Sequence, residues 1–140
     1  MDRKHIDALG EQVVGYLIDI HRHLGPGLLE SACEVALCHE VKLSGLPFEH
    51  QIEVPVFHKG VNFKSNLRID VLVESTIILE LKAVAQMLPV HHAQILSYLK
   101  MTQKPLGYLA DFHVPLMKDG IKRFATFHKE TSPRPPCLRG

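Results

Sequence analysis

Asp70, Glu80 and Lys82 are the residues of this 140-residue chain whose types and spacing could do chemistry. They stand in the segment RIDVLVESTIILELK, residues 68–82, on two runs rich in β-branched side chains separated by a short polar break. Two carboxylates and an amine gathered on one hairpin can hold a hard divalent cation and steady a water beside a phosphate. The competing reading is a pair of surface acids with Lys82 as their salt-bridge partner, and spacing alone leaves both open.

Whether the acids meet depends on the register of the hairpin. Ile69, Val71, Val73, Ile77, Leu79 and Leu81 occupy odd positions and predict one continuous apolar face. A three-residue loop, Glu74-Ser75-Thr76, sets Val73 opposite Ile77 and Asp70 opposite Glu80, so that both carboxylates share the other face. A two-residue loop would set Asp70 opposite Leu79 and turn Glu80 away. The three-residue register also keeps the six apolar side chains together and is the one expected. Leu72 and Ile78 then lie near the turn and Arg68, Asp70, Glu80 and Lys82 at the open end, a half-buried strand pair with a polar mouth. Facing carboxylates repel, which asks for a cation or for a raised pKa.

The elements that must position this hairpin are legible from periodicity. Ile6, Leu9, Val13, Leu17, Ile20 and Leu24 recur at helical spacing and predict a helix over about 3–24, broken by Gly25-Pro26-Gly27. A second helix is expected over about 28–43, closed by Ser44-Gly45. Strands are expected over 49–58, 62–73 and 77–82, with Lys59-Gly60 as a turn. A third helix follows over about 90–102, then strands over 106–112 and 121–127. The order α-α-β-β-β-α-β-β implies an α/β fold with a mixed sheet flanked by helices. One domain over 1–128 is expected, with the proline-rich residues 129–140 as a loose tail.

Composition narrows the function classes. A hydrophobic share of 46% and a charged share of 22% suit a globular core. The net charge of +1 argues against a salt-driven nucleic-acid coat protein, though not against an enzyme that touches nucleic acid locally. Cys33, Cys38 and Cys137 form no CxxC pair, which disfavours a disulfide framework or zinc knuckle and fits a reducing cytoplasm. The first residues carry no apolar signal core and no run approaches a membrane span, so no membrane partner is expected.

Three features lie outside the hairpin. Glu30 begins the second helix just after the glycine break, where an acid complements the helix dipole by about 0.3–1 kcal/mol whatever else it does. Gln94 shares a stripe of the third helix with Val90, Ser97, Tyr98 and Met101, a place more often taken by a solvated or core-edge amide than by a catalytic one. His91 and His92 are adjacent and therefore diverge on a helix, which makes them poor joint ligands.

Taken together, HRHLGPGLLESACEVAL, SGLPFEHQIEVPVFHKG, RIDVLVESTIILELKAV, HHAQILSYLKMT and GIKRF resemble, in that order and from about His5 to Phe127, the GxxExxY proteins of the PD-(D/E)xK nuclease-like superfamily. Gly27 and Glu30 match the name motif, whereas Cys33 stands where its tyrosine is expected. The superfamily's central acid falls on Asp70, its E-x-K element on Glu80 and Lys82, and its helical glutamine on Gln94, with Tyr98 close by. Asp111 stands where an asparagine is usual. The resemblance implies a restriction-endonuclease-like core that hydrolyses phosphodiester bonds in nucleic acid. It implies Mg²⁺ or Mn²⁺ held by Asp70, Glu80 and the carbonyl of Leu81, with Glu30 contributing directly or through water. Lys82 would orient or help deprotonate the attacking water, and Gln94 would bond substrate or water. Glu30 is expected against the acid pair, with Gly27 permitting the tight turn into its helix. DNA or RNA, and homo-oligomerisation, stay open. So does a catalytically silent module, derived from a nuclease, that binds nucleic acid or protein.

Overall fold

The computed structural model describes residues 1–64 and 67–126. Helix α1 spans Arg3–Leu24 and α2 spans Glu30–Leu43. Asp2 caps α1 by accepting the His5 N–H at 2.8 Å. Gly25, at φ +78°, ends it in a conformation that favours glycine. At Gly27, by contrast, φ is not left-handed and an added Cβ would meet open space, so the turn into α2 does not require glycine there. Leu28 and Leu29 stay outside α2, Leu29 being its extended N-cap, so the helix starts two residues later than periodicity suggests.

Strands β1 (Phe48–Glu53), β4 (Arg68–Val73), β5 (Ile77–Lys82), β6 (Leu106–Asp111) and β7 (Ile121–Ala125) form one mixed sheet in the order β1-β4-β5-β6-β7. Only β5 and β6 run parallel, and helix α3 (Pro89–Thr102) is their crossover. The short strands β2 (Val56–His58) and β3 (Val61–Phe63) pair as a separate ribbon. The expected strands over 49–58 and 62–73 are thus each divided. Pro55, without an N–H, falls at the first break; Ser65 and Asn66, at the second, lie outside the described residues. Five strands therefore stand between α2 and α3 instead of three. A 3₁₀ turn at Met117–Asp119, which periodicity does not reveal, precedes β7. The last strand ends at Ala125; Phe127, Cys137 and the tail 129–140 lie outside the described residues.

Two cores sandwich the sheet. Val71, Val73, Ile77, Leu79 and Leu81 face the buried stripes of α1 and α2, including Val13, Leu17, Cys33 and Leu37. On the other side Leu72, Ile78 and Leu109 meet Ile95, Tyr98 and Leu99 of α3. The hairpin is therefore buried on both faces rather than half-buried, because the parallel crossover lays α3 over the even positions. Burial of each large aliphatic side chain is worth about 1.5–3 kcal/mol, so the central strand is the least movable part of the molecule.

The pleat reverses once. Phe48 packs with the first core, but Ile52 and Ile69, which parity assigns to that same face, pack with the second. Between them Gln51 stands at φ +52°, in register opposite Asp70. A left-handed residue inside a strand turns the following side chains over, and it costs on the order of 1–3 kcal/mol that the surroundings must outweigh.

Gly120 fastens β7 to the sheet. Its carbonyl accepts the Asp111 N–H at 2.8 Å, and a Cβ there would collide with the Asp111 carbonyl oxygen and lie 2.9 Å from Val114 Cγ2. Since the obstacle is backbone, Gly120→Ala should lower stability by about 1–3 kcal/mol, read as a fall in thermal midpoint; an unchanged midpoint would mean that the loop yields freely.

Candidate functional site

The β4–β5 ladder runs Val73↔Ile77, Leu72↔Ile78 and Val71↔Leu79 and then opens. The register is the one a three-residue loop imposes, with Glu74 and Ser75 both left-handed in the turn. The next facing pair is Asp70 and Glu80, and here carboxylates take donors that carbonyls would otherwise take. The Asp70 N–H donates to Glu80 Oε2 at 3.0 Å, and the Leu81 N–H donates to Asp70 Oδ2 at 2.8 Å. Each acid thus reaches across to the opposite strand's backbone, and the two crossed bonds hold the strands apart around a pair of oxygens.

Electrostatics follow from this confinement. Glu80, only 4% exposed, is pushed up to about 8, first by burial and then by the Asp70 carboxylate; the hydrogen bond from the Asp70 amide and the Lys82 ammonium pull the other way. Asp70 is also raised, by burial, against the hydrogen bond from Leu81 and the Lys82 charge. Such a pair holds a proton more readily than a solvated carboxylate does. Lys82, half-buried at the end of β5, acts on both acids through space. Its carbonyl accepts the Phe112 N–H at 2.8 Å, on the β6 side. Because successive residues of a strand direct their polar backbone to opposite edges, the Leu81 carbonyl lies on the Asp70 side, where its N–H is already bonded.

Helix α2 supplies two further acids of unequal influence. Glu30 is exposed, and its effect on Asp70 is the weakest of the five causes. Glu34, one turn on, acts on Asp70 more strongly and also reaches Glu80. Gln51 ties it in, its Nε2 donating to Glu34 Oε1 at 2.8 Å and to Asp70 Oδ1 at 3.4 Å. The left-handed backbone at Gln51 is therefore what aims an amide between two carboxylates. His50 Nδ1 lies 3.5 Å from the other Glu34 oxygen. Neither Glu34 nor Gln51 stands out in the sequence. Glu34 could have been found by its i, i+4 relation to Glu30; Gln51 carries no local signal.

On the far face Gln94 donates from Nε2 to Tyr98 Oη at 2.9 Å. The buried Tyr98 hydroxyl has its pKa raised by burial and then, through space, by Glu80, so Gln94 bonds to Tyr98 rather than to either acid.

With this geometry in hand, residues 7–124 match the family model of the PD-(D/E)XK nuclease superfamily. The chain belongs to that superfamily. No curated protein and no solved structure matches it.

The fold is accordingly the restriction-endonuclease-like α/β core of the PD-(D/E)XK superfamily, whose nucleases generally use divalent metals. The donors at the open hairpin fit such an ion by type. Asp70 and Glu80 carboxylate oxygens with the Leu81 carbonyl make an all-oxygen set, which suits Mg²⁺ or Mn²⁺ with water and phosphate completing the shell. Among the described residues, no group of three or more His, Cys, Asp or Glu side chains is spaced to hold a metal by itself. The superfamily chain thus offers two carboxylates and a carbonyl.

Other singled-out residues hold the frame. Asp111, 5% exposed, accepts the Val84 N–H at 3.1 Å and the His113 N–H at 3.0 Å through one oxygen, stapling the loops that leave β5 and β6. Cys33 is buried in the α1–α2 core and points inward, its thiol raised by burial and then by Glu30. His91 caps α3 by accepting the Leu88 N–H at 3.0 Å, while His92 packs against Phe124 with ring centroids 5.7 Å apart. Among the described residues no helix is long and apolar enough to cross a membrane.

Proposed function

We propose that this chain is a GxxExxY-type nuclease, one domain over residues 1–128, that hydrolyses phosphodiester bonds in nucleic acid with Mg²⁺ or Mn²⁺. The observation that carries the reading is the opening of the β4–β5 ladder at Asp70 and Glu80, where two raised carboxylates replace ladder carbonyls beside Lys82. Strand ends that only needed closing would pair their own amides; holding two acids together costs repulsion that a bound cation removes.

Asp70, Glu80 and the Leu81 carbonyl would hold the ion, and Glu34, with the weaker Glu30, would add negative charge beside it. The bound ion supplies Lewis-acid polarisation of a phosphoryl oxygen and a more acidic water. Lys82 orients the attacking water and offsets charge building on the phosphate. Tyr98, fixed by Gln94, holds the Glu80 side of the site dry. The Gln51 amide bridges Glu34 and Asp70 without adding a charge.

Lys82→Met keeps most of the stem's packing and removes the ammonium. Cleavage of a mixed panel of single- and double-stranded DNA and RNA should require Mg²⁺ or Mn²⁺ and fall by about 10²-fold or more in the variant, with metal affinity largely retained. A wild-type protein that binds metal and nucleic acid yet cuts nothing in the panel would transfer the assignment to a silent binding module. Cleavage indifferent to the substitution would discard Lys82 as a participant.

A further inference from the structure

The β2–β3 ribbon is built unlike the rest of the molecule. Among the described residues neither core includes any of its side chains, and Phe57, Val61 and Phe63 are 66%, 52% and 50% exposed. A ribbon of three residue pairs is marginal alone in water, and large apolar side chains left on it gain nothing from folding. Its sequence, PVFHKGVNFK over 55–64, contains Lys59, Lys64 and His58 and no acid, in a chain whose net charge is only +1. Exposed aromatics interleaved with cations on an acid-free segment complement a strand that offers bases to stack and phosphates to pair.

Its position matches that occupant. The β1–β4 pairing continues past Glu53↔Arg68 through the Val54 N–H to the Leu67 carbonyl at 2.8 Å. Leu67 is three residues from Asp70, so the arm's root begins within about 10 Å of the acid pair. At the root, a cleft of about 390 Å³ is lined by Glu53, Pro55, Asn62, Phe63 and Lys64. Phe63 and Pro55 offer apolar faces to a base, Asn62 an amide to its edge, and Lys64 a charge to the phosphate. Glu53 repels phosphate from the cleft floor, which leaves the backbone to Lys64 and to Lys59 at the turn. Since Val56↔Phe63 and Phe57↔Asn62 are adjacent pairs, the two rings emerge on opposite faces, one on each side of the ribbon.

We infer that the β2–β3 ribbon is a nucleic-acid-binding arm around which an unpaired, single-stranded segment passes, one base stacking on Phe63 at the cleft and another on Phe57 on the opposite face, with phosphate contacts from Lys59 and Lys64, and that it delivers the strand to the acid pair. The inference rests on the nuclease reading for what happens next, not for the binding itself.

The test is therefore made in EDTA, where nothing can be cut. Fluorescence anisotropy would follow labelled dT20, rU20 and a 20-base-pair DNA duplex on the full chain, alongside a Phe57→Ala/Phe63→Ala variant and a Lys59→Ala/Lys64→Ala variant. Circular dichroism controls the fold, and sedimentation gives the oligomeric state. Wild type should bind dT20 or rU20 more tightly than duplex. The phenylalanine pair should weaken that binding by about 10-fold or more. The lysine pair should lower the salt slope by about 0.7 for each phosphate that is no longer neutralised. Folded variants that bind single strands as wild type does overturn the arm, and so does a wild-type dimer that the phenylalanine pair dissociates while nucleic-acid binding is unchanged. Cleavage by wild type with arm-independent binding sinks the arm and leaves the nuclease; arm-dependent binding with no cleavage in Mg²⁺ or Mn²⁺ does the reverse.

Discussion

Asp70→Ala should abolish saturable Mg²⁺ and Mn²⁺ binding in a calorimetric titration and lower cleavage by about 10³-fold or more, the scale of several kcal/mol of charge stabilisation at the phosphate. The substitution also removes the acceptor of the Leu81 N–H, and a buried donor left unpaired costs about 1–3 kcal/mol. Stability loss could therefore imitate loss of function. Asp70→Asn separates the two, since its amide oxygen can still accept from Leu81 while its charge is gone. Both variants should lose the metal isotherm, and only the alanine variant should lose much thermal stability. Removing the Asp70 charge also relieves Glu80, whose second cause of elevation is Asp70. An Asp70→Asn protein that titrates Mg²⁺ as wild type does would refute the metal site whatever the cleavage assay reported.

The second large effect is on stability against pH in the absence of metal. Folded Glu80 is held at about 8, whereas an unperturbed glutamate ionises near 4.5. Between those values the folded state keeps a proton that the unfolded state has released, so the slope of unfolding free energy with pH is negative. The contribution is fully present below about 4.5 and is lost as pH rises through 8; Asp70, raised by the same burial, adds the same sign from its lower starting point. In EDTA the thermal midpoint should fall steadily from about pH 5 to 8.5. Glu80→Gln, which keeps an oxygen for the Asp70 N–H, should flatten that fall. Mg²⁺ at about 100 times its dissociation constant should restore roughly 10 °C to the wild type at about pH 8.5 and little at about pH 5, because the ion competes with the proton. A midpoint that is flat across this range in EDTA, or that ignores Mg²⁺ at its alkaline end, would be incompatible with two uncompensated acids at the open hairpin.

A nuclease built this way would also be limited by its own positioning. The acids sit on inner strands of the five-stranded sheet, while Glu34 comes from helix α2, Gln51 from the sheet's edge strand and the ribbon from a separate strand pair. Rigid carboxylates with adjustable surroundings suit a site that must admit a polymer and still hold one phosphate in register.

By itself the sequence determined the local pieces. Helical spacing from Ile6 to Leu24 placed α1 to the residue, and the β-branched runs around Glu74-Ser75-Thr76 set the hairpin register that brings Asp70 opposite Glu80, because side-chain period and loop length are properties of neighbouring residues. That Asp70, Glu80 and Lys82 lie near one another was legible for the same reason, all three standing on a single hairpin. Tertiary structure alone decided the rest. That the hairpin is buried on both faces follows from α3 crossing over the sheet, a contact between residues distant in sequence. That Ile52 and its partner Ile69 pack with the second core rather than with Phe48 and Val71 accompanies a left-handed residue, Gln51, whose conformation no periodicity reports. That Glu34 rather than Glu30 acts more strongly on Asp70 depends on how α2 is rotated over the sheet, which its packing through Cys33, Leu37 and Val41 fixes. Local pattern sets which side chains a strand or helix offers; only the docking of one element on another decides which of them meet.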